Sequence, residues 1–312
     1  MMKRSIKGAV FFLLLFLFSA CKSRKQQTKD PGDKPGVGTI HITVDESFRP
    51  VMEEQIRVYE LSYPGAHIIA SYKPEADCFK DFFRDSANRL VIVTRGLTDK
   101  EDRYMLDSLY YRPGWDKIAT DAIAVLVNSK SNDTLFSQER LRQQLLGKQG
   151  REQQIVFDGL NATSTVRFIR DSILKGAAFD TSVVRAARNS SEVINFVAEN
   201  ENAIGLVGIS WIGNPEDSAQ LQLLKKVKIA YVQCSACEDS PYVKPMQESI
   251  LTRRYPLVRG LYYIIKENYF GLGSDFVNFL KYERGQLIFR RAYLGPVMDF
   301  NIRNVKINEK LN

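Results

Sequence analysis

From residue 39 onward the chain alternates between two apolar periods. "TIHITVD" (39–45) alternates apolar and polar positions in twos and predicts a strand, while "VMEEQIRVYELSY" (51–63) repeats its apolar positions every three or four residues and predicts a helix entered through Ser47 and Pro50. "AHIIASY" reads as a second strand and "CFKDFFRDS" as a helix. "RLVIVTR" is a strand whose unbroken apolar run expects cover on both faces, as in a parallel sheet. "EDRYMLDSLYY" is helical and "DAIAVLVN" is again a buried strand. The second half repeats the grammar, with "SQERLRQQLLGK" a helix closed by Gly147, "QQIVFDG" a strand and "STVRFIRDSIL" a helix. "SSEVINFVAEN" is a helix opened by a hydroxyl cap and "AIGLVGIS" a strand. After the β-like run "KVKIAYVQ", "YPLVRGLYYIIKE" turns through Pro256 into a strand, and two helices follow through "GSDFVNFLKYERGQLIFRRAYL". Strands alternating with helices predict an α/β architecture with right-handed crossovers.

The first 38 residues follow a different pattern. Residues 1–7 carry three basic side chains, residues 8–18 form an apolar run, and Ser19, Ala20 and Cys21 follow. That order is a secretory signal ending in a lipoprotein cleavage site. The run is shorter than the ~20 residues a membrane-spanning helix needs. Residues 1–20 are therefore expected to be a signal peptide, Cys21 the lipidated first residue, and residues 21–38 a tether holding the protein at a membrane of the cell envelope, on its periplasmic or extracellular face. What remains is longer than one core usually serves, so two lobes are expected.

Composition is ordinary for a globular protein, with 44% hydrophobic residues, and the formal net charge is +8. Part of that excess sits in the signal and tether, and an exported lipoprotein rarely meets nucleic acid, so the charge suits an anionic small ligand or anionic lipid head groups. Beyond Cys21 the chain has Cys78, Cys234 and Cys237. Zinc wants four ligands and only His41 and His67 are available besides, so no metal is expected. Cys234 and Cys237 lead into the acidic loop "EDSPYVKP", which suits a structural loop disulfide or a pair of inert thiols. Neither histidine has a spacing that singles it out as a base. Gly-x-Ser-x-Gly, Walker and His-Glu-x-x-His patterns are missing, and Asp77 and Asp81 read as a solvated helix face. The chain does not read as an enzyme, and no cofactor is expected.

One stretch concentrates polar chemistry. "FDGLNATSTVRFIRD" (157–171) runs from a strand end through a Gly turn into an amphipathic helix, with Asn161, Thr163, Ser164 and Thr165 at its mouth. Three roles compete for them: a helix cap, a catalytic nucleophile, or a cradle in which free N–H groups and hydroxyls hold an anion. Arg95 has a similar choice between a salt bridge to a nearby acid and a forked ligand to an anion.

"AIAVLVN", the helix "SQERLRQQLLGK", "AIGLVGIS", "YPLVRGLYYI" and "GQLIFRRAYLGPV" fall in an order that resembles the phosphate-binding family of extracellular solute-binding proteins, the substrate receptors of phosphate ABC importers, over about residues 39–300. The resemblance implies a two-lobed type II periplasmic-binding-protein fold, each lobe a mostly parallel sheet flanked by helices. It implies lobe 1 at residues 39–122 and 228–312, lobe 2 at 123–227, and hinge crossings at 123–128 and 227–232. It further implies oxyanion contacts from Ser47 and Phe48 at the first helix, from Thr94 and Arg95 after the third strand, and from Thr163, Ser164 and Thr165, with Asn161 near the place of an acidic residue. The chain departs from the family pattern at "SYKPEAD", where Ser71, Tyr72 or Lys73 replaces a Gly-Ser pair. It departs again at Asn88 and Arg89, where an Asp is common, and at Ser164, where the family has Gly. The expected function is that of a membrane-tethered lipoprotein that captures phosphate or a related oxyanion as a monomer and delivers it to an ABC importer. The alternative is an envelope protein-interaction module that keeps the fold but has lost or changed the ligand.

Overall fold

The computed structural model describes residues 32–149, 153–159 and 163–298. Cys21, the expected signal segment and Asn161 lie outside the described residues. β1 (Val37–Asp45), α1 (Arg49–Ser62), β2 (Gly65–Lys73), α2 (Glu75–Arg84) and β3 (Asn88–Val93) form the first unit, with β2, β1 and β3 side by side and parallel. α3 (Asp99–Leu109) leads into β4 (Gly114–Asn128), which is buried from Ile118 onward. The short β5 (Leu135–Phe136), α4 (Gln138–Leu145), β6 (Gln154–Phe157), α5 (Ser164–Ser172), β7 (Val184–Ala186), α6 (Ser190–Glu199) and β8 (Ala203–Gly208) follow. Next come α7 (Ser218–Leu223), β9 (Val227–Ile229), β10 (Tyr231–Gln233), β11 (Tyr242–Val243) and α8 (Gln247–Leu251). The described chain ends with β12 (Val258–Ile265), α9 (Leu272–Lys281), α10 (Glu283–Arg291) and β13 (Gly295–Pro296).

β4 belongs to two sheets. Its first part, through Ala122, pairs antiparallel with β12, which also pairs with β3. Its second part, from Ile123, pairs antiparallel with β8, and β6 and β7 continue that sheet in parallel. The chain is thus mixed α/β and two-lobed, with helices flanking each sheet. The parallel strands are the peripheral ones, and the antiparallel β4 and β12 run through the middle because they carry the chain between lobes.

Two expected boundaries move. β9 pairs with β4 at residues 126–128 and β10 pairs with β5 and β11, so residues 227–243 pair with second-lobe strands, and the return to the first lobe falls in the 244–258 connection rather than at 227–232. The folded part also starts before residue 39. The buried Asp33 carboxylate accepts hydrogen bonds from Arg89 (2.9 Å), Tyr269 (3.0 Å) and the Leu272 N–H at the start of α9 (2.8 Å), tying the end of the expected tether to the first lobe. Arg89, which stands near a family acidic position, is taken up by this contact and by Glu267 at 3.5 Å.

The apolar periodicity explains the packing. α1 buries Val51, Met52, Ile56 and Tyr59, and α6 buries Val193, Ile194 and Val197, positions spaced three or four apart on one face. Cys234 and Cys237 form a disulfide across the turn between β10 and β11, and Cys78 is a buried free thiol. No helix among the described residues is long and apolar enough to cross a membrane.

α9 and α10 meet at a junction that only glycine fits. A Cβ on Gly285 would lie 2.3 Å from the Phe279 carbonyl oxygen and 2.7 Å from Leu280 Cα, both backbone atoms that cannot swing aside. The Gly285 carbonyl also accepts the buried Gln55 amide at 2.7 Å, which holds α10 to α1. Gly285→Ala is expected to lower stability by about 1–3 kcal/mol, as overpacking does elsewhere, measurable by denaturant unfolding of the two proteins side by side.

Candidate functional site

The one basic residue of an apolar strand and the one buried acidic residue of the strand beside it organise the site. Arg259 in β12 and Asp121 in β4 are cross-strand partners, and Arg259 Nε donates to Asp121 Oδ2 at 2.7 Å. Both are buried. The rest of the guanidinium reaches into the second lobe, where Nη1 donates to Ser164 Oγ at 2.8 Å and Thr165 Oγ1 at 3.3 Å. Nη2 is buried with no partner among the described residues, and the centre of the Phe48 ring lies 5.2 Å from the guanidinium carbon.

The hydroxyl-rich mouth of α5 divides its labour. Thr163 is the cap, its Oγ1 accepting the Val166 N–H at 3.3 Å. Ser164 and Thr165, fully buried, face the cluster instead. Ser47 arrives from the first lobe in the turn after β1, its N–H donating to Asp45 Oδ1 at 3.0 Å and its Oγ lying 3.4 Å from both Ser164 Oγ and Asp158 Oδ2. Asp158, at the end of β6, also accepts a long bond from Thr165 Oγ1 at 3.5 Å. Gly208 lets these parts meet, since a Cβ there would lie 3.0 Å from the Ser47 carbonyl oxygen and 3.3 Å from Arg259 Nη2. Ser210 Oγ donates to the same Ser47 carbonyl at 3.0 Å.

Acid outweighs base at this point. Burial, with Glu75 nearby, pushes the Asp45 carboxyl up to about 7 against the pull of Arg259. Burial likewise raises Asp158 and Asp121 above the ordinary carboxylate range, opposed in each case by Arg259. Arg259 keeps its proton, held by the surrounding carboxylates.

A second group of bonds joins the lobes nearby. Glu75, at the first position of α2, accepts the Thr94 N–H at 2.9 Å, the Thr94 hydroxyl at 2.5 Å and Arg167 Nε of α5 at 2.7 Å. On the other side Glu46 accepts the Ser190 hydroxyl at 2.8 Å and its N–H at 3.2 Å. The cap of α6 is therefore Asn189, whose side chain accepts the Glu192 N–H, and not the hydroxyl expected from "SSEV". A cavity of about 310 Å³ opens between the lobes above Asp45, Glu46 and Asp158, with Arg49, Lys73, Tyr72, Arg188 and Trp211 around it.

Of the residues expected to hold an anion, Ser47, Phe48, Ser164 and Thr165 converge on Arg259, and Thr163 caps the helix beside them. Thr94 lies next to them but bonds to Glu75 and Arg167. Arg95 is a correction: its fork grips Glu101 at 2.7 and 2.8 Å, and its guanidinium lies 3.8 Å from the centre of the Phe79 ring, because Glu101 in the first turn of α3 faces it. Of the three replacements at "SYKPEAD", Tyr72 and Lys73 line the cavity, Lys73 paired with Asp81 at 2.5 Å. The residues that sequence reading missed are Arg259, Asp121, Asp45, Asp158, Glu75 and Arg167. The single basic residue inside "YPLVRGLYYII" and the single acidic residue inside "KIATDAIAVLVN" could have flagged the first two, since buried charges come paired.

Residues 30–283 match the family described as a PBP superfamily domain. The chain belongs to that periplasmic-binding-protein family. Its members bind substrates and are not enzymes. A putative phosphate ABC transporter substrate-binding protein with bound phosphate from Clostridium perfringens superposes with a TM-score of 0.67 at 18% identity, over 84% of this chain and 100% of that one. An ABC-type phosphate transport receptor from Vibrio cholerae gives 0.58 at 15% identity, over 82% and 99%. A possible phosphate binding protein from Planctomyces limnophilus gives 0.52 at 16%, over 84% and 94%. At these identities the likeness is one of fold. A search of curated protein sequences returned no match.

The raised Asp45 makes stability of this PBP-family protein depend on pH with a definite sign. Between the ordinary value of 3.8 and about 7 the folded state holds the Asp45 proton more tightly than the unfolded chain, so this group's contribution falls as pH rises through that window. Asp45→Asn keeps an oxygen for the Ser47 N–H and removes the titration. The variant is expected to lose less melting temperature than wild type between pH 5 and pH 8, and to melt higher at pH 8, as read by thermal unfolding at both values.

Proposed function

We propose that this protein is a lipid-tethered solute receptor that captures phosphate or a related oxyanion between its lobes and presents it to an ABC importer. The observation that carries the reading is Arg259, a buried guanidinium with one nitrogen on the Ser164 and Thr165 hydroxyls and another without a partner among the described residues, set against the start of α5. Helix starts, hydroxyls and a fixed positive charge are the groups that stabilise an oxyanion without a metal or a base. The fold shared with a putative phosphate ABC transporter substrate-binding protein, an ABC-type phosphate transport receptor and a possible phosphate binding protein supports the same reading. Lipidation at Cys21 rests on the processing order of residues 1–21.

A second reading has its own support. Asp158 already accepts the Ser47 and Thr165 hydroxyls, and Glu75 already accepts Thr94, so the chain answers several of these donors with carboxylates of its own. That arrangement suits an interaction module that keeps the fold without the solute.

Calorimetric titration with phosphate, arsenate, sulfate and a phosphonate separates the two. Thr165→Ala removes a donor that a bound oxyanion would use, and hydrogen bonds to charged groups are worth about 1.5–3 kcal/mol, so affinity is expected to fall roughly ten- to a hundredfold while the Thr163 cap stays intact. Wild-type protein that binds none of the four anions would favour the interaction module. For the anchor, metabolic labelling with a fatty acid is expected to mark wild type and leave Cys21→Ala unmarked.

A further inference from the structure

The Thr94–Arg167 contact has the composition of an anion site, yet its occupant belongs to the chain. One backbone N–H, one hydroxyl and one forked guanidinium converge on the Glu75 carboxylate, with Arg167 Nη2 adding a bond to Glu75 Oε1 at 3.3 Å and one to Thr94 Oγ1 at 2.6 Å. Thr94 stands at the end of β3 in the first lobe and Arg167 in α5 of the second, so the carboxylate is bound from both sides of the cleft. Glu75 is 3% exposed and is presented by the first turn of α2, whose cap position is Pro74 and offers no side-chain hydrogen bond. Burial pushes its carboxyl up, but the Arg167 and Thr94 donors outweigh burial and hold it below the ordinary glutamate range. Its charge also reaches the central cluster, since it helps raise Asp45.

We propose that Glu75 acts as a resident anion: its carboxylate fills an oxyanion subsite made by Thr94 and Arg167 and holds the lobes together in the manner of a bound solute. An incoming oxyanion then has to displace a tethered competitor or bind beside its charge. A tethered group competes at an effective concentration of the order of millimolar, so solute affinity is lowered by the fraction of molecules in which the latch is made. Charge adds to the effect. Glu75, held ionised by Arg167 and Thr94, places a negative charge beside Asp45, which disfavours a doubly charged ligand. The latch concerns lobe closure and stands on its own geometry, whereas the effect on affinity rests on the solute-receptor reading above.

The test uses the full chain as wild type, Glu75→Ala, Glu75→Gln and Arg167→Gln, each checked for folding by circular dichroism. Small-angle scattering without added anions reads the lobes, and calorimetry with inorganic phosphate reads the subsite. Expected are a larger radius of gyration in all three variants, phosphate binding at least tenfold tighter in Glu75→Ala, and no such gain in Arg167→Gln, which opens the latch but deletes a donor. Should Glu75→Ala fail to fold, Glu75→Gln carries the same comparison, since it keeps the volume and loses the charge. An unchanged radius of gyration in the Glu75 variants overturns the proposal, as does an opened Glu75→Ala protein that binds phosphate more weakly than wild type. If the variants open but no form binds phosphate, the latch is supported and the solute reading fails instead.

Discussion

The buried pair of Arg259 and Asp121 constrains everything around it. Removing two full charges from water costs several kcal/mol per ion, and their attraction offsets that only when the remaining donors find partners. Arginine cannot escape by losing its proton. Asp121 satisfies Nε, but a guanidinium has five N–H donors, and the first lobe offers Arg259 little more than the face of Phe48. The hydroxyls of Ser164 and Thr165 take up Nη1, and they belong to the second lobe. A charge placed in β12 therefore specifies where the start of α5 must come to rest.

The position of the pair in the topology matters as much as its chemistry. Asp121 sits two residues before β4 changes partners from β12 to β8. Strands that cross between lobes are rigid lengthwise, so a cluster at the crossing is well placed to sense the angle between the sheets. The contacts that bridge the cleft here are hydrogen bonds and ion pairs: Glu46 with Ser190, Glu75 with Arg167, and Ser47 with Ser164. Polar contacts of this kind can be exchanged for water or for a ligand's oxygens at modest net cost, which an apolar seam cannot match.

The sequence was legible wherever one local rule decided the outcome. Alternating, unbroken and period-3.6 apolar runs placed β1, β3, β8, α1 and α5, and the alternation of strands with helices led to the α/β class. Local rules failed where two neighbours competed for one role. Ser190 looked like the cap of α6, but Asn189 took it and left Ser190 to bond Glu46, a residue 144 positions away. Arg95 looked like an anion ligand, yet Glu101 in the next helix holds its fork.

By itself the sequence determined the order of the elements, the hydroxyls at the start of α5 and the Ser47–Phe48 turn, because each depends on patterns spanning a few residues, and it carried the fold family through a resemblance over about residues 39–300. Only the tertiary structure decided which charges meet. Arg259 with Asp121, Glu75 with Arg167 and Asp33 with Arg89 are separated along the chain by 138, 92 and 56 positions. Electrostatic pairing in a buried site depends on distance in space and on local burial, and neither is a function of spacing along the chain. The chain can announce that Arg259 and Asp121 need partners, since each stands inside a run of apolar residues. It cannot say that they are each other's, nor that Glu75 would occupy the donors expected to wait for a solute.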